Sequence, residues 1–133
     1  MYSVIAAPAC ERHVSTVRRH AAACLHAWCL AKDDQHCSLL IVGELAGNAA
    51  VHGRDTMTLG LALAAADRTL CIQVTDYGGP PRATLRASLD DLDEEFGRGL
   101  GIVCSLAQSV DSITTVNSTQ VRAIYRIEAL RAT

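Results

Sequence analysis

An α+β two-layer sandwich, helices packed on one face of a mixed, mostly antiparallel sheet, is the fold class this sequence predicts. Three observations carry the prediction. Apolar residues recur at three- and four-residue steps as far as His52, which is helical spacing. Beyond it, leucines, isoleucines and valines alternate with period two in paired runs, the pattern of half-buried strands. The resulting order, helix, helix, strand, strand, loop, helix, strand, strand, segregates helices from hairpins.

Taken in order, Val4 to Ala7 reads as a short first strand ended by Pro8. Glu11 to Leu30 reads as a helix, with Val14, Val17, Ala21, Leu25 and Trp28 on one stripe and Trp28 assigned to the core. Arg12, Arg18 and Arg19 fall off that stripe and form either a solvated face or a partner surface. Lys32-Asp33-Asp34 breaks the pattern, and Asp33 or Asp34 is expected to cap a second helix from about Gln35 to His52. Val42, Leu45, Ala46 and Ala49 give that helix an apolar face, and Gly53 supplies the stop.

Leu59, Leu61 and Leu63, then Leu70, Ile72 and Val74, form two strands joined through Asp67-Arg68-Thr69 as an antiparallel hairpin. From Asp76 to Phe96 runs a long loop punctuated by Gly78, Gly79, Pro80 and Pro81. It has a weakly helical centre from Ala83 to Leu92 and an acidic, solvated end from Asp90 to Glu95, the composition of a functional lid or of a disordered link. Gly97-Arg98-Gly99-Leu100-Gly101 leads into a helix reaching about Ser109. Two strands, near Ser112 to Val116 and Val121 to Glu128, close the chain through Asn117-Ser118-Thr119-Gln120.

Half of the 133 residues are apolar, enough for one domain spanning 1–133 with a real core. A formal net charge of −2 provides no global field for nucleic acid or anionic lipid. Met1-Tyr2-Ser3-Val4 lacks the basic flank and long apolar run of a secretory signal, so a cytoplasmic setting without membrane contact is expected. Cys10, Cys24, Cys29, Cys37, Cys71 and Cys104 include no Cys-x-x-Cys pair, which argues against zinc and for reduced, packed thiols.

Three stretches carry chemistry. Glu44, Asn48 and His52 stand four residues apart and so stack along one side of the second helix. A carboxylate there can act as a base, and an amide oxygen can hold a hard cation. Asp76 ends a strand immediately before Gly78 and Gly79, where a flat ligand can approach the backbone and an exocyclic amine can find a carboxylate. Gly97-x-Gly99-x-Gly101 opens a helix whose N–H groups can cradle phosphate, without the preceding strand of a Rossmann fingerprint or a Walker lysine. Each stretch alone also has an ordinary structural reading: a solvated face, a turn, a helix start.

Together, Glu44-x-x-x-Asn48-Ala49-x-x-His52, Asp76-x-Gly78-Gly79 and Gly97-Arg98-Gly99-Leu100-x-Ile102-Val103 resemble the N, G1 and G2 boxes of the GHKL ATPases with their Bergerat fold. Within that superfamily the chain is similar to the anti-sigma-factor serine kinases, which Val17-Arg18-Arg19 and Trp28-Cys29-Leu30 also fit. The resemblance implies ATP and Mg²⁺ as ligands. It implies that Asn48 holds the metal, that Glu44 is the base activating a serine hydroxyl, and that His52 belongs to the nucleotide-binding set. Asp76 would read adenine, with Gly78 and Gly79 permitting close approach. Gly97, Arg98, Gly99 and Leu100 would close over the phosphates, and Thr119 would stand near the base. Ser118 occupies the position where the family usually carries glycine, and five carboxylates between Asp90 and Glu95 precede the phosphate loop. The implied partners are a sigma factor and an anti-sigma-factor antagonist, with a homodimer also compatible. Two functions stay open: an ATP-dependent serine kinase, and a nucleotide-sensing module that sequesters a partner without chemistry. A histidine-kinase catalytic domain acting in trans ranks below both, since the sequence shows no phosphoacceptor helix pair.

Overall fold

The computed structural model describes residues 1–52, 55–77, 85–87 and 99–130. Six strands form one sheet: β1 (Tyr2–Pro8), β2 (Thr56–Ala64), β3 (Thr69–Tyr77), β4 (Leu85–Ala87), β5 (Ser109–Thr114) and β6 (Ser118–Arg126). Their spatial order is β1-β2-β3-β6-β5-β4, and every described pairing is antiparallel. Among the described residues, three α-helices, α1 (Val14–Ala27), α2 (Lys32–His52) and α3 (Gly99–Leu106), cover one face, with a short 3-10 turn at Glu11–His13 before α1. This is the α+β two-layer sandwich that the periodicity predicts.

The period-two alternation sets the layers. Met57, Leu59, Leu61 and Leu63 of β2 lie opposite Asp76, Val74, Ile72 and Leu70 of β3, and all eight are buried under the helices. α2 packs along β3 with α1 and α3 as its neighbours, and buries Ile41, Val42, Leu45, Ala46 and Ala49. Val17, Ala21 and Leu25 fasten α1, and Leu100 and Val103 fasten α3, to the same core. Trp28 packs against that core while staying partly exposed. All six cysteines are free thiols and none is fully buried. On the other face of the sheet, burial raises the Cys71 thiol above its ordinary pKa against the opposing pull of Arg122.

Several local expectations are corrected. α1 ends at Ala27, not Leu30, because Cys29 adopts φ 64° and closes a Schellman motif. Its N–H reaches the His26 carbonyl, and that of Leu30 reaches the Leu25 carbonyl at 3.2 Å. α2 begins at Lys32, and Asp34 lies inside its first turn rather than capping it. The Asp34 side chain is 1% exposed and faces the sheet. It accepts hydrogen bonds from Tyr125 Oη (2.7 Å), Glu128 N (3.1 and 3.2 Å) and Ala129 N (3.1 Å). Burial first, then the bond to the Asp34 carboxylate, pushes the Tyr125 phenol well above its ordinary pKa. A Leu30–Leu130 bridge extends this clamp on the C-terminal segment.

Within the stretch expected to be weakly helical, Leu85–Ala87 is strand β4, pairing with Ser112 to Thr114. The outer edge of β5 supplies pairing partners that outweigh a weak helical preference. α3 stops at Leu106, and Gln108 N already bonds to Ile124 O at 2.7 Å, so Ser109 begins β5 instead of ending a helix. The remainder of the expected loop, 78–84 and 88–96, lies outside the described residues, as do Gly53, Gly97 and Arg98. Among the described residues, no helix is long and apolar enough to cross a membrane.

Candidate functional site

Among the described residues, Asn48, Asp76 and Thr119, all singled out in the sequence, lie on elements that pack against one another. The Asp34–Tyr125 contact serves as an origin. From Asp34 the axis of α2 rises about 21 Å to Asn48. From Tyr125, β6 runs about 20 Å to Thr119. Helix and strand therefore deliver Asn48 and Thr119 to the same level.

Sheet register completes the group. Asp76 on β3 stands directly opposite Thr119 on β6, on the helix-covered side of the sheet. They are 8% and 5% exposed, in a layer otherwise filled by Val74, Ile72, Val121 and Ala123. Residues far apart in sequence thus place a carboxylate and a hydroxyl side by side, with Cβ atoms about 5 Å apart. The same row continues to Thr114 on β5, 7% exposed and opposite Thr119. Sequence reasoning missed Thr114. The available signal was that Ser112 and Thr114 put hydroxyls at the core-facing positions of a strand.

Ser118, standing in place of glycine, is accommodated without strain. Positive φ among non-glycine described residues is confined to Cys29 and Arg68. Thr115 holds the turn: Thr115 N bonds to Ser118 O at 2.8 Å, Ser118 N to Thr115 Oγ1 at 3.1 Å, and the two hydroxyls lie 2.9 Å apart. The departure from glycine leaves Thr119 in register with Asp76.

Glu44, Asn48 and His52 lie on successive turns of α2, each half-buried. The Asn48 amide nitrogen is buried and has no hydrogen-bond partner among the described residues. A buried N–H left unsatisfied is uncommon and points to a missing acceptor, such as an oxygen of a bound ligand, while the amide oxygen is the atom that could hold a cation. Among the described residues, no three His, Cys, Asp or Glu side chains cluster into a cation cage, and Asn48 supplies a single amide oxygen. That donor set fits Mg²⁺, which is commonly held by one or two side chains, several waters and substrate phosphates.

Gly99 opens α3, and Leu100 is fully buried in its first turn. α3 packs against α2 and β5, and the chain enters β5 opposite Ile124. A Cβ at Gly101 would meet no atom within 4 Å, so packing does not demand glycine there. Gly78, Gly79, Gly97 and Arg98 lie outside the described residues.

A separate cavity of about 270 Å³ lies on the α1–α2 surface, lined by Ser15, Arg18, Arg19, Ala22 and Leu39. The expected basic face of the first helix borders this hollow. Arg18 lies across Gly43, whose added Cβ would come within 3.4 Å of the guanidinium arm.

In comparison with known families, residues 7–125 match the family model described as histidine kinase-like ATPase domain. No curated protein matches the chain.

Proposed function

The chain belongs to the histidine kinase-like ATPase domain family, and from that premise we propose that it is an ATP-dependent regulatory switch that phosphorylates a serine on a partner protein. Membership implies nucleotide binding. The observation that carries the reading is the Asp76–Thr119 register on the covered side of the sheet, at the level of Asn48. A buried carboxylate beside a hydroxyl suits adenine, whose exocyclic amine donates and whose ring nitrogens accept. Asn48 would hold Mg²⁺ through its amide oxygen, and His52 belongs to the same nucleotide-facing helix end. The metal, when bound with the triphosphate, neutralises charge on the β- and γ-phosphates. Gly99 and Leu100 begin the helix whose N–H groups would face the phosphates.

Glu44 is one turn before Asn48 on the same side of α2. We assign it as the base: its carboxylate takes the proton of the serine hydroxyl as that oxygen attacks the γ-phosphorus. The bond to the β-phosphate oxygen breaks, ADP leaves and phosphoserine remains. The partner surface we assign to α1 and the turn before it, where exposed Arg18 and Arg19 stand beside the apolar floor of Ala22 and Leu39 and exposed Arg12 lies in the preceding 3-10 turn. A sigma factor and its antagonist are the partners this reading names, in a cytoplasmic setting.

Mixing the protein with Mg-ATP and a cognate serine-bearing antagonist tests the assignment. Phosphoserine should form, and Glu44→Ala should slow transfer by roughly 10²–10⁴-fold, the usual contribution of a positioned base, with ATP binding retained. ATP and partner binding without any transfer would instead establish the nucleotide-sensing module, the reading that the run of five carboxylates before the phosphate loop favours.

A further inference from the structure

The row of polar side chains does not stop at the pair that reads the base. Asp76, Thr119 and Thr114 are consecutive cross-strand neighbours on β3, β6 and β5, all on the helix-covered side and all buried. A valine would fill the Thr114 position with the same shape and no polar group to satisfy. Resting on the nucleotide reading above, we infer that Thr114 is a positioning residue that orients the Thr119 hydroxyl and so sharpens selection of adenine.

The argument is one of hydrogen-bond sense. A threonine hydroxyl has one proton and two lone pairs, and its proton rotates to suit its surroundings. Adenine presents unprotonated ring nitrogens, which call for a donor. Guanine and hypoxanthine carry a proton on the corresponding N1, which calls for an acceptor. Directly opposed side chains have Cβ atoms about 5 Å apart, close enough for two hydroxyls to bond directly or through one water. When the Thr114 hydroxyl donates into the Thr119 oxygen, the Thr119 proton is directed away from β5, towards the side where Asp76 receives the base. Thr119 is then held as a donor, the sense adenine needs. No covalent step is involved, and Thr114 acts only through Thr119.

The competing explanation is that Thr114 is merely a good strand residue, paired with another threonine. Titration calorimetry of Thr114→Val, Thr114→Ser, Thr119→Val and the double variant, with Mg-ATP and Mg-ITP, separates the two. Thr114→Val should weaken ATP binding on the order of fivefold to tenfold, the size of one neutral hydrogen bond, and reduce the ATP-over-ITP preference by a similar factor. Thr114→Ser should keep the preference, because it keeps the hydroxyl. In the Thr119→Val background, Thr114→Val should have no further effect. Thermal unfolding of each variant checks that binding is measured on folded protein. An unchanged preference in Thr114→Val, a preference lost equally in Thr114→Ser, or additive effects in the double variant would overturn the inference alone. Failure of the unaltered protein to bind Mg-ATP would overturn the nucleotide reading and this inference with it.

Discussion

The two ends of α2 each press polar side chains against the same sheet, and the protein treats them in opposite ways. At the first turn, Asp34 is buried and saturated: a phenol and two backbone N–H groups converge on one carboxylate. At the last turns, the Asn48 amide nitrogen is buried with no partner among the described residues, and Thr119 and Thr114 line the sheet beneath that level. Buried polar groups are nearly always paired, because an unpaired one forfeits its hydration without return. A saturated group is therefore a structural clamp, and the unsatisfied Asn48 amide marks where a ligand completes the inventory. The same chemistry reads as architecture at one end and as a site at the other.

The contrast can be broken by exchanging the consequences of mutation at the two ends. Asp34→Ala should have the largest effect on the fold. It strands the Tyr125 hydroxyl and the N–H groups of Glu128 and Ala129, and should lower unfolding free energy by about 3–5 kcal/mol. Denaturant titration measures this. A loss below about 1 kcal/mol would mean that the clamp is not one. Asn48→Asp should do the reverse, leaving the unfolding midpoint nearly unchanged while cutting Mg-ATP affinity by roughly a hundredfold or more. The substitution sets a negative charge beside the triphosphate, where the native amide is neutral. Unchanged affinity by calorimetry would show that the site is misplaced.

Asp76→Asn sharpens the comparison at the open end. The amide can present either hydrogen-bonding sense, so discrimination between ATP and GTP should collapse. ATP binding should weaken by about 1.5–3 kcal/mol, the value of a hydrogen bond to a charged group. Competition between the two nucleotides reads this directly, and equal preference in the unaltered protein would refute the base-reading role.

The smallest effect belongs to the closed end. Tyr125→Phe removes one of the clamp's donors and should cost about 1 kcal/mol near neutral pH. Its sharper signature is alkaline. The folded Tyr125 holds its proton more tightly than the unfolded chain, whose tyrosine titrates near pH ~10. Above that pH the unfolded state releases a proton that the folded state keeps, so the Tyr125 contribution is complete below it and is lost as pH rises. Unfolding midpoints taken across that range should fall more steeply for the unaltered protein than for Tyr125→Phe. Parallel curves would show that the phenol is not held by the clamp.

Much of this was legible in the sequence, and the particular residues show why. Leu59, Leu61 and Leu63 against Leu70, Ile72 and Val74 declare a hairpin with one buried face, because strand geometry turns every second side chain the same way. The four-residue spacing of Glu44, Asn48 and His52 declares a shared side of a helix for the same local reason. Asp34 shows where such reading stops. An aspartate just before an apolar helical pattern is a capping signal, yet its partner Tyr125 lies 91 residues away. No local rule reaches that far. β4 shows the same limit, since its three residues become a strand only because β5 offers them an edge.

By itself, then, the sequence determined the periodicities, the two-layer class and the identity of the polar residues that could do chemistry, all of which follow from bond geometry repeating along a short stretch of chain. Which polar residues stand together was decided only by tertiary structure. Register places Asp76 opposite Thr119 and Thr119 opposite Thr114, and the packing of α2 along β3 carries Asn48 to the same level. A slip of one residue in that pairing would turn the row to the uncovered face. What prevents the slip is the burial of Leu70, Ile72, Val74, Val121 and Ala123 under the helices, so the apolar core fixes the position of a site made of polar groups.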